Sequence, residues 1–295
     1  MRTAIFFLRG RPRCSSSHPP GYSLSRQEEG CMLIKRALFL VLVLVVLTFF
    51  APAAPAQANV TESSPRITYV ALGDSLGFGL WDFSRGGYVY RYGAALAADT
   101  GAKVSLINLS VPGWTSSDLL NALRNRWIFR LSVASAQVVT WDIGGNDLLR
   151  ARDRYIAGTC GGLDNQECLR EAVTTFRNNW RAIVREIATL RSGRSTVYRT
   201  MDLYYPFVAQ DAASGRLPVL LPYLRQVNDI IHATGCGVRV ADVYAAFNDS
   251  YDDPRQPSLY LSFDGYHPNA AGHAVIAGRL RALGYEPAFI PVLCA

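Results

Sequence analysis

From about residue 68 to the far end of the chain, short apolar runs alternate with stretches whose apolar residues recur every three or four positions. The short runs predict strands over 68–73, 103–110, 136–143, 195–202 and 238–243, being brief, rich in β-branched residues and bounded by turn formers. The periodic stretches predict helices over 88–99, 116–125, 165–191, 218–234 and 269–283. The third is the clearest, with Leu169, Val173, Phe176, Trp180, Ile183, Val184 and Ile187 forming one stripe. Five strands separated by helices imply an α/β fold, a parallel sheet with helices on both faces. Ligands of such sheets bind beyond the carboxyl ends of the strands. The strand-to-helix loops are therefore where chemistry is expected.

The N-terminus follows a different pattern. Met32-Leu33-Ile34-Lys35-Arg36 is a short basic start, 37–51 is almost unbroken Leu, Val and Phe, and Ala56-Gln57-Ala58 is a small-x-small site. That layout predicts a secretory signal peptide over 32–58, leaving 1–31 as an extension outside the working protein. The apolar core is shorter than the roughly 20 residues a spanning helix needs; a membrane anchor is expected only if the leader is not cleaved. The remaining 59–295 is long enough for one domain.

This division changes the charge balance. The whole chain carries 30 Lys and Arg against 23 Asp and Glu, but 1–58 holds seven of the former and two of the latter. A nearly neutral domain gives no reason to expect nucleic acid or an anionic membrane as partner. Four cysteines remain in it, Cys160, Cys168, Cys236 and Cys294. In an exported chain an even number suggests two disulfides, and closeness favours Cys160–Cys168, leaving Cys236 for Cys294. No C-x₂-C pair points to zinc. Asp249, Asp252 and Asp253 lack the Gly and terminal Glu of a calcium loop.

The expected loops carry a set of reactive residues. The first strand breaks at Gly73-Asp74-Ser75-Leu76-Gly77, the second runs into Val111-Pro112-Gly113-Trp114, and the third ends in Gly144-Gly145-Asn146-Asp147. A long loop after the fifth leads to Asp264-Gly265-Tyr266-His267-Pro268. Each piece has an ordinary reading as turn or cap; four in order at one end of a sheet do not. A serine is a poor nucleophile until a base takes its proton, and an Asp three residues before a His can hold the Nδ1–H while Nε2 faces the serine. Gly113 lets a backbone N–H come close, and Asn146 offers a side-chain NH₂, as an oxyanion needs. Pro268 fits the first turn of the last helix.

In order and content these blocks resemble the SGNH (GDSL-type) serine hydrolases. The resemblance implies a flavodoxin-like three-layer sandwich and an ester hydrolase needing no cofactor. It also implies Ser75 as nucleophile, His267 as base, Asp264 as its orienting acid, and Ser75, Gly113 and Asn146 as the oxyanion hole. Gly73–Gly77 also fits the G-x-S-x-G elbow of α/β-hydrolases, but there several strands precede the serine.

Leu76, Phe78, Trp81 and Trp114 are candidate walls for an acyl chain, and a monomer acting on a lipid or simple carboxylic ester is expected. A carbohydrate O-acetyl group is the alternative substrate, and a non-catalytic surface binding protein the alternative class. The loops 150–164, 203–217 and 248–262 should rim the site. His273 is expected on an exposed helix face, and His232 lacks an acidic partner nearby in sequence. Asp142 interrupts an apolar strand, where a charge needs a partner; it either faces the site or meets Arg199.

Overall fold

A computed structural model of the protein describes residues 64–84 and 86–290. The expected extension and leader, and Cys294, lie outside them. Five strands, β1 (Arg66–Leu72), β2 (Lys103–Asn108), β3 (Val138–Trp141), β4 (Val197–Met201) and β5 (Val238–Ala241), form one sheet in the order β2-β1-β3-β4-β5. Every pairing is parallel, with Val70 of β1 opposite Ile107 on one side and Val139 on the other. The chain leaves β1 first to one side and later to the other, so a crevice opens between the carboxyl ends of β1 and β3.

Strand pleating divides the core in two. Val70, Leu72, Val139 and Trp141 face a layer made by α3 (Ser116–Asn125), α4 (Trp127–Ser135), α6 (Glu167–Leu190) and α8 (Leu217–His232). Tyr69, Ala71 and Val138 face α2 (Tyr88–Thr100), α9 (Val243–Asn248) and α10 (Ala270–Ala282). All seven residues of the stripe on α6 are buried, each large aliphatic or aromatic side chain contributing about 2 kcal/mol of transfer free energy. The expected α/β sandwich is the fold observed, and its strands and main helices agree with the pattern within about two residues except where strands end early.

Five further helices lie where loops, a strand end or nothing is expected from the sequence: α1 (Ser75–Phe78), α4, α5 (Gly145–Ile156), α7 (Val208–Ala213) and α9. In α5 the inward position is Arg152, paired with Asp211 through two hydrogen bonds of 2.8 and 3.0 Å. A buried charge at the core-facing position hides a helical stripe. Among the described residues no helix is long and apolar enough to cross a membrane.

Other expectations are corrected. His273 is fully buried, because its Nδ1 accepts from the Tyr88 amide and its Nε2 donates to the Leu80 carbonyl. His232, with no acidic partner nearby in sequence, meets Asp202 from thirty residues away at 3.0 Å. Arg199 does not reach Asp142: it pairs in register with Thr140 and donates to the carbonyls of Gly284 and Glu286. The Cys160–Cys168 disulfide, by contrast, forms as expected. Cys236 is disulfide-bonded as well.

Candidate active site

The chain leaves β1 at Leu72 and turns at once into α1, whose first residue is Ser75. Asp74 caps this short helix by accepting from the Leu76 amide at 3.0 Å. The turn lies directly on the Asp142 carboxylate. A Cβ on Gly73 would come within 2.3 Å of Asp142 Oδ1, and one on Gly77 within 2.7 Å of the same atom. Both glycines are thus required by close approach. Asp142 sits just past the end of β3 and accepts from the Gly77 amide at 3.3 Å and the Tyr88 hydroxyl at 2.5 Å.

Opposite the serine, residues 262–267 form a tight loop closed by Ser262 N–H donating to the His267 carbonyl and by pairing of Leu261 with Pro268. Asn269, rather than Pro268, starts the last helix: its side chain accepts from the Ala271 and Gly272 amides and donates to the carbonyls of Leu259 and Leu261. Pro268 was expected in the first helical turn; it lies before the cap because its place is taken by the bridge to Leu261. The loop holds His267 Nε2 at 2.8 Å from Ser75 Oγ and His267 Nδ1 at 2.6 Å from Asp264 Oδ2. Asp264 Oδ1 accepts from the amides of Tyr266 and His267. Burial works to raise the Asp264 carboxyl, but hydrogen bonds from the His267 ring and the two amides outweigh it, so it ionises below the ordinary carboxylate range.

The two glycine-bearing loops meet on the other side of Ser75. Gly113 has a left-handed φ of 81° with open space where a Cβ would be. Arg150 donates to its carbonyl at 3.0 Å. Asn146 lies in the first turn of α5 and donates to the Trp114 carbonyl at 2.9 Å and to Asp74 Oδ2 at 3.2 Å. Asp147, next to it, accepts from the amide and hydroxyl of Ser116. These bonds tie the loops after β2 and β3 to each other before any ligand arrives.

Asp74 and Asp142 are both buried behind the serine. Burial, and for Asp74 also the charge of Asp142, pushes both carboxyls above the ordinary range. The pair therefore retains a proton where an exposed carboxylate has lost it.

A pocket of about 880 Å³, open solvent at its mouth included, leads away from Ser75 and His267. Its walls are mainly Leu148, Leu149, Leu203, Phe207, Leu220 and Leu224, from α5, α8 and the segment after β4. Of the four expected wall residues, Leu76 lines it; Phe78, Trp81 and Trp114 do not. Phe78 is half exposed, Trp114 stacks on Phe129, and the Trp81 indole donates to Asp264 Oδ2 at 2.7 Å. Sequence reasoning placed the walls beside the motifs, whereas chain crossovers bring them from residues 148–224.

Comparison with known proteins agrees with this geometry. Residues 71–275 match the family described as GDSL-like Lipase/Acylhydrolase. The spore germination lipase LipC of Bacillus licheniformis is 29% identical over 225 residues, covering 74% of this chain and 97% of that protein. Among solved structures, the lipase Lip_vut3 from a goat rumen metagenome has a TM-score of 0.61 at 28% identity, over 75% of this chain and 98% of that one. The acetylxylan esterase Axe2 of Geobacillus stearothermophilus, at 23% identity, shares the fold with a TM-score of 0.53 over 76% and 97% of the two chains. With the matched family spanning most of the chain and this sheet beneath it, the protein belongs to the GDSL-like lipase/acylhydrolases, serine ester hydrolases of the SGNH fold.

Proposed function

We propose that the protein is an exported, monomeric esterase acting on lipid-like carboxylic esters through an acyl-enzyme on Ser75. The observation that carries this reading is the continuous chain of hydrogen bonds Ser75–His267–Asp264 at the mouth of an apolar pocket. Ser75 Oγ attacks the ester carbonyl while His267 Nε2 takes its proton and then gives it to the leaving alcohol. Asp264 keeps the imidazole in the tautomer with Nδ1 protonated. The oxyanion is received by the Ser75 and Gly113 amides and the Asn146 side chain. Asn146 releases its longer bond, the one to Asp74, to reach it. Water then repeats the cycle on the acyl-enzyme and frees the acid.

The apolar walls favour an acyl chain over acetyl, since each methylene laid against them adds about 0.8 kcal/mol of transfer free energy that a single methyl forgoes. Export rests on the three-part leader at 32–58. Hydrolysis of p-nitrophenyl esters from acetyl to palmitoyl, by the protein and by Ser75→Ala, tests the reading. A Ser75-dependent optimum at medium or long chains is expected. Activity confined to acetyl would replace the lipid reading with deacetylation of a carbohydrate, and activity surviving in Ser75→Ala would remove the nucleophile.

A further inference from the structure

Trp81 is a bulky residue with φ of 66°, a left-handed conformation that such side chains rarely adopt. Its neighbours on both sides hold it there. Leu80 accepts from the buried His273 ring. Asp82 is fixed by the Gly87 amide at 3.3 Å and by two donors of the Arg91 guanidinium at 2.8 and 2.9 Å. Gly79 and Gly87 at the two ends of the loop are in backbone contact, since a Cβ on Gly87 would fall 2.3 Å from Gly79 Cα. Between these pinned residues the indole is turned out to Asp264, 183 positions away, and donates to Oδ2 at 2.7 Å. Phe263 and Phe83 pack edge-on against it, with centroids 4.6 and 5.8 Å away. Backbone conformations of this kind persist where the surroundings over-determine them, and they concentrate at functional sites.

The consequence lies in the acceptor count. A carboxylate offers about four lone-pair directions. Asp264 Oδ1 takes two amides, and Oδ2 takes the His267 ring and the Trp81 indole. We infer that Trp81 is a positioning residue: its N–H shares Oδ2 with His267, locking the carboxylate in rotation and moderating its pull on the imidazole. This rests on the proposed roles of Ser75, His267 and Asp264. Without the indole, Oδ2 concentrates its charge on one donor, holds the imidazolium more tightly and is free to swing. Other titratable groups around His267 are Tyr266, Tyr204, Asp74 and Asp142, with His273 behind it facing Asp82 and Arg91. Asp264 Oδ2 takes its hydrogen bonds from the His267 ring and the Trp81 indole, so the indole's effect should be separable from theirs.

The test is the pH dependence of kcat and KM on a p-nitrophenyl ester for the protein, Trp81→Phe, Trp81→Asn, Asp264→Asn and Trp81→Phe combined with Asp264→Asn. Phenylalanine keeps the ring contacts and removes the N–H. Asparagine suits the left-handed backbone, so the fold is not at issue, but is too short to reach Asp264. Both should lower kcat about tenfold with KM within twofold, and Trp81→Phe should move the acid limb of kcat to higher pH. In the Asp264→Asn background, Trp81→Phe should change kcat by less than twofold. The far-downfield His267 Nδ1–H proton resonance, read in Ser75→Ala, should shift on adding Trp81→Phe. Unchanged kcat and acid limb, or the same tenfold loss in the Asp264→Asn background, would overturn the inference. Activity surviving in Ser75→Ala would instead overturn the assignment beneath it.

Discussion

Ser75 stands between two carboxylate centres that the fold treats in opposite ways. Asp264, on a surface loop, is saturated with donors and ionises below the ordinary range. Asp74 and Asp142, under the serine turn, also receive donors, yet burial raises both, and the charge of Asp142 raises Asp74 further. Hydrogen bonds alone therefore do not decide the charge of a carboxyl; exclusion from water outweighs them here, reinforced at Asp74 by the carboxylate beside it. The difference assigns work. Asp264 is held charged, as a partner for an imidazolium must be. The Asp74–Asp142 pair holds the serine turn in shape, and its contribution should be read in stability rather than in turnover.

Substitutions at the two centres should separate these roles. The largest effect is expected from Asp264→Asn, which puts the wrong tautomer on His267 and should lower kcat by about 10³-fold or more while thermal stability changes little; ester assays beside a melting curve read both. Asp142→Ala should do the reverse. It leaves the Gly77 amide and Tyr88 hydroxyl without their acceptor, a loss of about 3 kcal/mol in urea denaturation, and the folded fraction should keep far more activity than Asp264→Asn. Equal effects on both properties would dissolve the comparison.

A smaller effect sharpens it through pH. Asp264, whose folded value is depressed, contributes stability present above the unfolded value of 3.8 and lost as pH falls through the folded value. The raised Asp74–Asp142 pair has the opposite sign: its contribution is present below 3.8 and lost as pH rises through the folded values. Melting temperature against pH for Asp142→Asn should thus show a shallower decline above about pH 4 than the native protein, the part due to buried Asp74 remaining. The smallest effect is expected at His273, where burial lowers the ring below 6.5. The unfolded chain takes up a proton there that the folded protein refuses, so stability should fall as pH drops below about 6.5, and His273→Gln should remove that slope.

What could be read from the sequence follows the range of the interactions. Strands and core helices are set by local periodicity, and the stripe from Leu169 to Ile187 appears in the structure as written. The loops bearing Ser75, Gly113, Asn146 and His267 were legible because each is a short block at a strand's carboxyl end, and the parallel topology gathers such ends. Contacts between distant segments were not. Tyr88 meeting Asp142, Trp81 meeting Asp264 and Asp202 meeting His232 join positions 30 to 183 apart. Nothing in local spacing marks them. His273 looked solvent-facing because a polar ring in a helix usually is, and only the two backbone partners that satisfy it explain its burial. The helix Gly145–Ile156 was obscured by Arg152, whose partner Asp211 lies in another short helix. The pocket walls came from that helix and from residues after β4, so the acyl site could not be placed from the motifs alone.

The central claim is that Ser75 is the atom acylated, with His267 as its base. Reaction with a p-nitrophenyl phosphonate, followed by release of p-nitrophenol and by peptide mass mapping, tests it most directly. The account predicts one equivalent of p-nitrophenol, an adduct on Ser75 and loss of esterase activity in step with labelling, with labelling slowed by orders of magnitude in His267→Ala. An active protein that carries the adduct on another residue, or that labels at the native rate without His267, would contradict it.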